Sequence, residues 1–382
     1  MAVSIHGHTL ASLVGTLQSF RLAMPVVALM TREMLTCLNQ LPCLLEGGWR
    51  DFGAMVQLTP EALAECRFWF RRLPAWNGFS LRPVTVSRVL YTDASARGFG
   101  GLIHRVLHRE LEPAVQTMVE YWEVGFPAAS VVTELEGLWR ALVAGRAEMR
   151  GQVVLHRTDN MCTYYVVKNG GSQQSPTLTT IVRRIFVFCI QFGITLASQY
   201  VGAGVIITSG ADALSRAADT SDCRLNKGVF QRLWHVFGPF EVDRFASANS
   251  VQRHPLTGQP LPYDSLFADS KCQGVDGLSA DWRGVANYAF PPVSLVGAVL
   301  RLVQEQGAVA LIILPHWPAQ WWWPLAQELG KVVGMVALEN LRSDGAMFEV
   351  VRQDGPCHPL GTYPHADSVE WLAVWVPGAA AR

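Results

Sequence analysis

The spacing of apolar positions separates this 382-residue chain into parts with different secondary structure. Up to about residue 83 the apolar positions recur every three to four residues, as in amphipathic helices. One such helix opens at Leu10, a second covers roughly residues 31–45, and a third runs from the Thr59-Pro60 pair to about Arg72. Threonine followed by proline is a helix start signal. The pattern therefore predicts a small helical segment over residues 1–83.

From residue 84 to 218, short apolar runs alternate with amphipathic stretches. We expect strands near 86–92, 100–106, 116–123, 153–158 and 194–201, and helices near 134–149, 162–168, 177–192 and 211–217. Such alternation is typical of an α/β domain. It predicts a mixed sheet with flanking helices.

Residues 226–345 repeat the α/β pattern after a polar break. A helix is predicted over 229–237, a strand over 240–243, a second helix over 293–304 and a buried strand over 309–314. Residues 346–382 are predicted to be a tail of short strands or loop. The chain is long enough for two or three domains with full cores.

Two of the predicted strands end in a Thr-Asp pair. Asp93 follows the apolar run 89–92, and Asp159 follows the run 153–158. An aspartate at a strand end commonly serves a turn, and that interpretation is open for either residue alone. At the tips of adjacent strands, however, the two carboxylates would repel each other unless a cation lay between them.

The predicted helix near residue 134 separates the roles of two glutamates. Thr133 and Glu136 fit a capping box, in which Thr133 caps the helix and Glu136 reaches back to the cap amide. Glu136 thus has a structural role, whereas Glu134 flanks the apolar stripe and is the candidate for chemistry. A solvated acid at a helix start, favoured by the helix dipole, is the alternative for Glu134.

A fourth carboxylate, Asp212, follows the predicted strand 194–201 and a glycine-rich loop over residues 202–210. It lies near the start of the predicted helix 211–217. An aspartate in that position can be a helix cap and nothing more. Both interpretations are open from the residue itself.

Composition narrows the classes of protein further. Only 16% of the residues are charged and the formal net charge is zero, so the overall charge gives no sign of nucleic-acid binding. The eight cysteines form no Cys-x-x-Cys pair, which argues against disulfides and zinc. No apolar run approaches the roughly 18 residues of a spanning helix, and the N-terminus lacks a signal-peptide pattern. We expect an intracellular protein, cytoplasmic or nuclear, that does not engage a membrane.

Four segments together resemble the type 1 ribonuclease H domain of retroelement polyproteins. They are Tyr91-Thr92-Asp93-Ala94-Ser95, Thr133-Glu134-Leu135, Thr158-Asp159-Asn160 and Ala211-Asp212-Ala213-Leu214-Ser215-Arg216, in the family's order. The resemblance implies a ribonuclease H-like fold, two Mg²⁺ or Mn²⁺ ions as cofactors, and endonucleolytic cleavage of RNA in RNA–DNA hybrids. It makes Asp93 the ligand of both ions, with Glu134 and Asp159 on one side and Asp212 on the other. Carboxylates suit such ions, which prefer hard oxygen ligands.

Residues beside these carboxylates are candidates for substrate binding. They are Ser95 and Asn160, and for phosphate contacts Arg97, Lys168 and the pair Arg183 and Arg184. Solvated surface charge is the alternative for each cation. The sequence departs from the family in one respect, because the loop before Asp212 lacks the catalytic histidine of the cellular enzymes. We expect that difference to affect the rate, with proton transfer left to water.

The flanking parts carry further resemblances. Residues 10–25 and the run "LTPEALAECRFWFRRL" resemble the thumb and connection that follow the palm of retrotransposon reverse transcriptases. The palm's Tyr-x-Asp-Asp carboxylates do not occur, so a polymerase palm would have to come from another chain or a missing segment.

The run 237–249 and the segment Tyr288-Ala289-Phe290-Pro291-Pro292 resemble the region downstream of ribonuclease H in DIRS-type, tyrosine-recombinase retrotransposons. They are also similar to phage-type adenine-N6 DNA methyltransferases. Phe290 stands where those enzymes have the asparagine that binds the target amino group. The resemblance therefore favours a methyltransferase-like domain without methyl transfer.

The sequence as a whole predicts a fragment of a DIRS-like retrotransposon polyprotein with ribonuclease H activity. One alternative is a decayed or domesticated product that only binds nucleic acid, and another is adenine methylation by the C-terminal domain. A transposase of the same superfold is disfavoured, because those enzymes use Asp, Asp and Glu in that order.

Overall fold

A computed structural model describes residues 3–21, 24–43, 50–76, 85–123, 126, 130–172, 174–216, 222–330, 335–338, 347–349 and 369–378. The chain divides into two compact units, residues 1–88 with 150–200 and residues 89–149 with 201–382. Within the described ranges no helix is long and apolar enough to span a bilayer. The domain boundaries predicted after residues 83, 218 and 345 lie outside the described residues and stay predictions.

The N-terminal residues form three α-helices and a two-stranded antiparallel ribbon. Their order is β1 (Val3–His6), α1 (Gly7–Ser19), α2 (Arg32–Asn39), β2 (Met55–Leu58) and α3 (Pro60–Trp76). Strands β1 and β2 pair antiparallel. Helix α3 begins where predicted, since the Thr59 hydroxyl accepts a hydrogen bond from the Ala62 amide. The expectation of a purely helical segment was wrong, because four-residue strands are too short for their alternation to stand out.

Helix α2 is also shorter than predicted. It ends at Asn39, whereas the apolar spacing extended it to residue 45. Pro42 accounts for the difference, because proline disfavours helical conformation in the residue before it and cannot donate a backbone hydrogen bond. Residues 44 and 45 lie outside the described residues.

The central part of the chain forms a five-stranded mixed sheet. Its strands are β3 (Arg88–Ala94), β4 (Gly98–Leu107), β5 (Glu110–Tyr121), β6 (Val153–Thr158) and β7 (Thr195–Tyr200), in the order β5-β4-β3-β6-β7. Strand β4 runs antiparallel to β5, and β6 runs parallel to β7. Every strand predicted for residues 84–218 is present. The sheet and its helices confirm the predicted α/β class with a mixed sheet and flanking helices.

The helices of this part are α4 (Ser130–Ala144), α5 (Arg146–Met149), α6 (Met161–Lys168), α7 (Pro176–Phe192), α8 (Ala203–Ser209) and α9 (Ala211–Arg216). Their amphipathic spacing predicted α6, α7 and α9, and it predicted one continuous helix where the structure has α4 and α5. It did not predict α8, which occupies the stretch expected to be a glycine-rich loop. Gly210 ends α8 with φ of 92°, a conformation that favours glycine. Two glycines of this stretch, Gly202 and Gly210, thus lie at the two ends of a helix.

The C-terminal part contains a second α/β arrangement. Its elements are β8 (Arg224–Leu225), α10 (Lys227–Phe237), β9 (Val242–Asp243), β10 (Asp264–Ser265), β11 (Gly274–Val275), β12 (Ala286–Ala289), α11 (Val296–Gln306), β13 (Val309–Pro315), α12 (Trp323–Gly330), β14 (Met335–Ala337), β15 (Phe348–Glu349) and β16 (Trp371–Val376). The main sheet has the order β14-β16-β13-β12-β9. Strands β9, β12 and β13 are parallel, and β16 is antiparallel to β13. Strand β16 lies within the predicted tail and is an interior strand of this sheet.

The two faces of this second sheet bury different cores. Leu311 and Ile313 of β13 pack with Phe230 and Leu233 of α10. Ile312, between them, packs in a separate cluster with residues of α11 and α12. Because successive side chains of a strand point to opposite faces, one apolar strand serves both cores.

Candidate active site

Three of the predicted carboxylates lie close together. Oxygen atoms of Asp93, Glu134 and Asp159 are within 4.8 Å of one another. Asp93 lies near the end of β3, Glu134 lies in α4, and Asp159 directly follows β6. Asp93 is 7% exposed and Glu134 is 6% exposed, so water screens their charges poorly. Such a group of carboxylates is a potential binding site for a divalent cation.

The loop after Asp93 is fixed by hydrogen bonds that hold the strand end in place. The Ser95 amide donates to the Gly98 carbonyl at 2.9 Å, which closes the turn from β3 to β4. Trp122 donates from Nε1 to the Ser95 carbonyl at 2.8 Å. The Ser95 hydroxyl donates to the Ser215 carbonyl at 2.6 Å. The turn is therefore tied both to the residue after β5 and to α9.

Ser215 contacts the cluster directly. Its hydroxyl donates to Oδ2 of Asp93 at 2.6 Å, and its side chain is buried. A hydrogen bond to one carboxylate oxygen fixes the orientation of the whole group. We did not anticipate this role from the sequence. Its only signal was the position of Ser215 three residues after Asp212, which places both residues on the same side of α9.

Glu134 is positioned differently from the sequence prediction. Helix α4 begins at Ser130, three residues before the expected cap. The Thr133 hydroxyl donates to the Ser130 carbonyl at 2.9 Å, as a residue inside a helix does. The predicted capping box of Thr133 and Glu136 was therefore wrong. Glu134 nevertheless lies on the buried side beside Leu135, consistent with its selection as the candidate for chemistry.

Asp159 lies in the short connection between β6 and α6. The next residue, Asn160, is the N-cap of α6, and its Oδ1 accepts a hydrogen bond from the Thr163 amide at 3.0 Å. The Asn160 amide donates to the Thr158 hydroxyl at 3.1 Å. Asn160 was predicted to contact substrate, and its side-chain oxygen instead serves the helix start. Asn160 lies beside Asp159, and its side-chain nitrogen Nδ2 is the group that could contact a substrate.

Asp212 is not a member of the three-carboxylate cluster. It lies in the first turn of α9, where its Oδ1 accepts hydrogen bonds from Arg216, at 2.8 Å from Nε and 2.7 Å from a terminal nitrogen. The Asp212 side chain is 28% exposed. The structure thus brings together three of the four predicted metal ligands. The fourth, Asp212, forms an ion pair with the Arg216 side chain.

Gly100 allows α9 to approach the sheet this closely. A Cβ atom at Gly100 would collide with Cβ of Leu214, the Ala211 carbonyl oxygen and the Ser215 nitrogen. Any other residue there would push α9 away from β4, and Ser215 would move with it. The glycine-laced start of β4 therefore has a specific purpose in building the site.

The remaining predicted substrate-binding residues lie in varied surroundings. Arg97 is exposed and donates to the Arg216 carbonyl at 3.4 Å. Lys168 is exposed and donates to the Tyr164 hydroxyl at 2.9 Å, which raises the pKa of the lysine. Arg183 donates to Oε1 of the buried Glu65 at 3.1 Å, a contact that supports the fold. Their proposed roles in substrate binding remain predictions.

A separate cavity of about 150 Å³ lies in the C-terminal part. Its lining includes the residues that follow β9, such as Phe245 and Ser247, and those that follow β12, such as Phe290 and Pro291. Ligand sites in open α/β sheets commonly lie at the carboxyl ends of parallel strands. Phe290 is 9% exposed and stacks on Phe348, with the two ring centroids 5.7 Å apart.

Comparisons with known proteins give matches among solved structures only. No protein-family model matches the chain, and no curated protein matches it. The N-terminal ribonuclease H domain of a Mycobacterium tuberculosis protein is 16% identical, with a TM-score of 0.28 over 34% of this chain and 91% of that chain. A ribonuclease H isolated from compost, solved with an RNA/DNA hybrid, is 20% identical, with a TM-score of 0.29 over 33% and 92%. Prototype foamy virus protease–reverse transcriptase is 13% identical, with a TM-score of 0.27 over 36% and 22%.

Proposed function

We propose that this chain is a ribonuclease H of a retroelement, which hydrolyses RNA in RNA–DNA hybrids during reverse transcription. The observation that carries the proposal is the cluster of Asp93, Glu134 and Asp159, whose oxygens lie within 4.8 Å of one another. Three separate elements supply these carboxylates. Independent acids on a protein surface would have no reason to converge in this way, since their charges repel.

The donor set fits a divalent metal site. Mg²⁺ and Mn²⁺ prefer carboxylate oxygens, and two buried acids in contact with a third need a compensating positive charge. Asp93, Glu134 and Asp159 would hold one ion, and Asp93 with Asp212 would hold a second. Two bound ions in such a site would supply an activated water and stabilise the leaving oxygen.

The protein's own residues would prepare the site. Ser215 orients the Asp93 carboxylate through its hydrogen bond to Oδ2. Arg216 neutralises Asp212 in the arrangement seen here, so Asp212 would have to leave this partner to become a ligand. The side chain of Arg216 is 67% exposed, so it has room to move away from Asp212. The energetic cost of that movement is small, because exposed ion pairs are weak.

Cleavage of a labelled RNA–DNA hybrid in Mg²⁺ or Mn²⁺ tests the proposal. We expect the wild-type chain to cut the RNA strand and Asp93→Asn to abolish cutting, with a DNA duplex and single-stranded RNA as control substrates. A folded wild-type chain that leaves the hybrid intact would support the alternative, a decayed element product that only binds nucleic acid. Cutting that persists in Asp93→Asn would point to another nuclease in the sample.

A second candidate function concerns the C-terminal domain. The cavity at the ends of β9 and β12 favours binding of a small molecule by a methyltransferase-like domain. Phe290 packs against Phe348 and Trp371, and it offers no amide to a target base. We therefore propose binding without adenine methylation. Calorimetric titration with S-adenosylmethionine tests the binding, and absence of heat would remove this candidate.

The assignment to a DIRS-like polyprotein belongs to the same proposal. Residues 1–83 would be the remnant of a reverse transcriptase thumb and connection, working with a palm supplied by another chain or a missing segment. Such a protein would act in the cytoplasm or nucleus. The support is the set of sequence resemblances in the flanking segments.

A further inference from the structure

Helix α3 has a surface that the carboxylate cluster does not involve. Five residues on one side of this helix line an open groove of about 330 Å³: Ala64, Arg67, Phe68, Arg71 and Arg72. Their spacing of three and four residues places them on a single helix face. All three arginines are exposed. We refer to these five residues as the arginine face.

The opposite side of α3 is buried and fixes the orientation of the helix. Glu65 is 2% exposed and Trp69 is 3% exposed. Trp69 donates from Nε1 to the Met30 carbonyl at 2.6 Å, and Glu65 accepts from the Glu33 and Met34 amides. Rotation of α3 would expose these groups, so the arginine face remains turned to solvent.

The positive charge of the arginine face has no internal compensation. Among the described residues, none forms an ion pair with Arg67, Arg71 or Arg72. Glu65 points into the core, and Glu61 is six residues before Arg67, about 9 Å away along the helix axis. Arg67 and Arg71 are four residues apart, a spacing at which like charges destabilise a helix. A polyanionic partner would relieve this repulsion.

The chemistry of the arginine face fits a phosphate backbone. Guanidinium groups match phosphate geometry with paired hydrogen bonds, which lysine cannot reproduce. Arg67 and Arg72 are about 7.5 Å apart along the helix axis, a spacing that lets their long side chains meet different phosphates of one strand. The half-buried ring of Phe68 lines the same groove, where a base or sugar could pack against it.

We propose that the arginine face binds the sugar–phosphate backbone of the nucleic acid on which the chain acts. The inference rests on the proposed function, which supplies a nucleic acid as substrate. It extends that function by assigning part of the substrate affinity to the helical N-terminal segment, whose sequence had suggested only packing or a polymerase remnant. The contacts are sequence-independent, because backbone phosphates are the same at every position.

Binding without divalent metal separates this proposal from the nuclease activity. The full chain is titrated against a fluorescent 20-base-pair RNA–DNA hybrid and a DNA duplex in EDTA, at salt concentrations from 50 to 200 mM. We compare the wild-type chain with Arg67→Gln/Arg71→Gln/Arg72→Gln. The matched control removes three other exposed arginines, as Arg109→Gln/Arg146→Gln/Arg150→Gln. Circular dichroism confirms that each variant folds.

The arginine-face variant is expected to bind about 10- to 100-fold more weakly at 50 mM salt, and its salt slope should fall by about 2. The control should change little. Arg→Lys at the same three positions should retain most of the salt slope, since it keeps the charge. Equal losses in the variant and the control, or an unchanged slope in the variant, would overturn the proposal. So would binding of phosphatidylserine vesicles, lost in the variant, with no binding of nucleic acid.

Discussion

Asp93 and Asp243 lie at or near the ends of strands in the two sheets, but their surroundings differ. Asp93 belongs to the proposed metal site, whereas Asp243 is a buried structural residue. Asp93 near the end of β3 and Asp243 at the end of β9 are 7% and 2% exposed. The Asp93 carboxylate accepts a hydrogen bond from Ser215 and lies with two other carboxylates. The Asp243 carboxylate accepts a hydrogen bond from the Gln252 amide, while its Oδ1 has no hydrogen-bond partner among the described residues.

Burial has a clear electrostatic consequence for Asp243. Burial raises the pKa of Asp243 to about 7, so near neutral pH this group is partly protonated and carries less charge. A group that avoids its charge by protonation does not attract a metal ion. At Asp93 the neighbouring acids and an oriented oxygen favour a bound cation instead. Convergence of several elements, and not the strand end itself, makes the difference.

The largest expected effect is the loss of hybrid cleavage when Asp93, but not Asp243, is substituted. Asp93→Asn should lower the rate of hybrid cleavage by at least about 10³-fold, because one shared metal ligand supplies several kcal/mol of transition-state stabilisation. Asp243→Asn should leave the rate unchanged. Initial rates with a labelled hybrid in Mg²⁺ check both. A similar loss in the two variants would mean that Asp93 acts through the fold.

Asp243 should make stability depend on pH. Its pKa is higher in the folded chain than the ordinary value of 3.8, so the folded state keeps a proton that the unfolded chain releases. The stabilising contribution is complete below about pH 4 and is lost as the pH rises through about 7. Asp243→Asn should therefore gain up to about 3 to 4 kcal/mol relative to wild type between pH 4 and 8. Urea unfolding at the two pH values measures this, and a constant difference would contradict it.

Gly100→Ala tests how the sheet positions α9. The added methyl would meet Leu214 and the backbone of α9, and we expect a loss of about 1 to 3 kcal/mol in unfolding free energy together with reduced cleavage. Gly15→Ala is the control, because a Cβ in that position of α1 meets nothing within 4 Å. That substitution should stabilise by roughly 0.5 to 1 kcal/mol. Thermal unfolding of both variants would decide, and a neutral Gly100→Ala would show that α9 is not held as described.

Ser215→Ala tests how the serine hydroxyl orients the Asp93 carboxylate. Without its hydroxyl the Asp93 carboxylate can rotate, and we expect the affinity for Mn²⁺ to fall by about 10- to 100-fold with little change in stability. Ser215→Thr should restore much of the affinity by keeping the donor. Ser209→Ala, which removes another helix serine hydroxyl, serves as the control. Unchanged Mn²⁺ affinity in Ser215→Ala would exclude the orienting role.

All five strands of the first sheet could be predicted from the sequence, because their apolar runs are long or strongly periodic. In the C-terminal region the sequence predicted α10, α11 and two of the five strands of the main sheet, β9 and β13. Strand β6 has the predicted bounds, Val153–Thr158. The failures are local and have physical causes. Helix α4 starts before its apparent capping box, and α8 forms between glycines that predicted a loop. The ribbon of β1 and β2 is too short to produce a clear pattern.

The site was predictable in its residue types and only in part in its geometry. The family resemblance grouped four carboxylates. The structure places Asp93, Glu134 and Asp159 together, and it leaves Asp212 outside this cluster. The sequence analysis did not predict the pairing of Arg216 with Asp212, or the contact of Ser215 with Asp93. Contacts of that kind depend on how closely α9 approaches β4. Gly100 permits this approach because it has no side chain.

Direct measurement of metal binding tests the central claim, that Asp93, Glu134 and Asp159 form one cation site. Isothermal titration with Mn²⁺ would compare the wild-type chain with Asp93→Asn, Glu134→Gln, Asp159→Asn and Asp243→Asn. We predict that each of the first three variants binds Mn²⁺ at least about 10-fold more weakly, while Asp243→Asn binds as wild type does. Wild-type affinity in the three cluster variants, or no binding by the wild-type chain, would contradict the account.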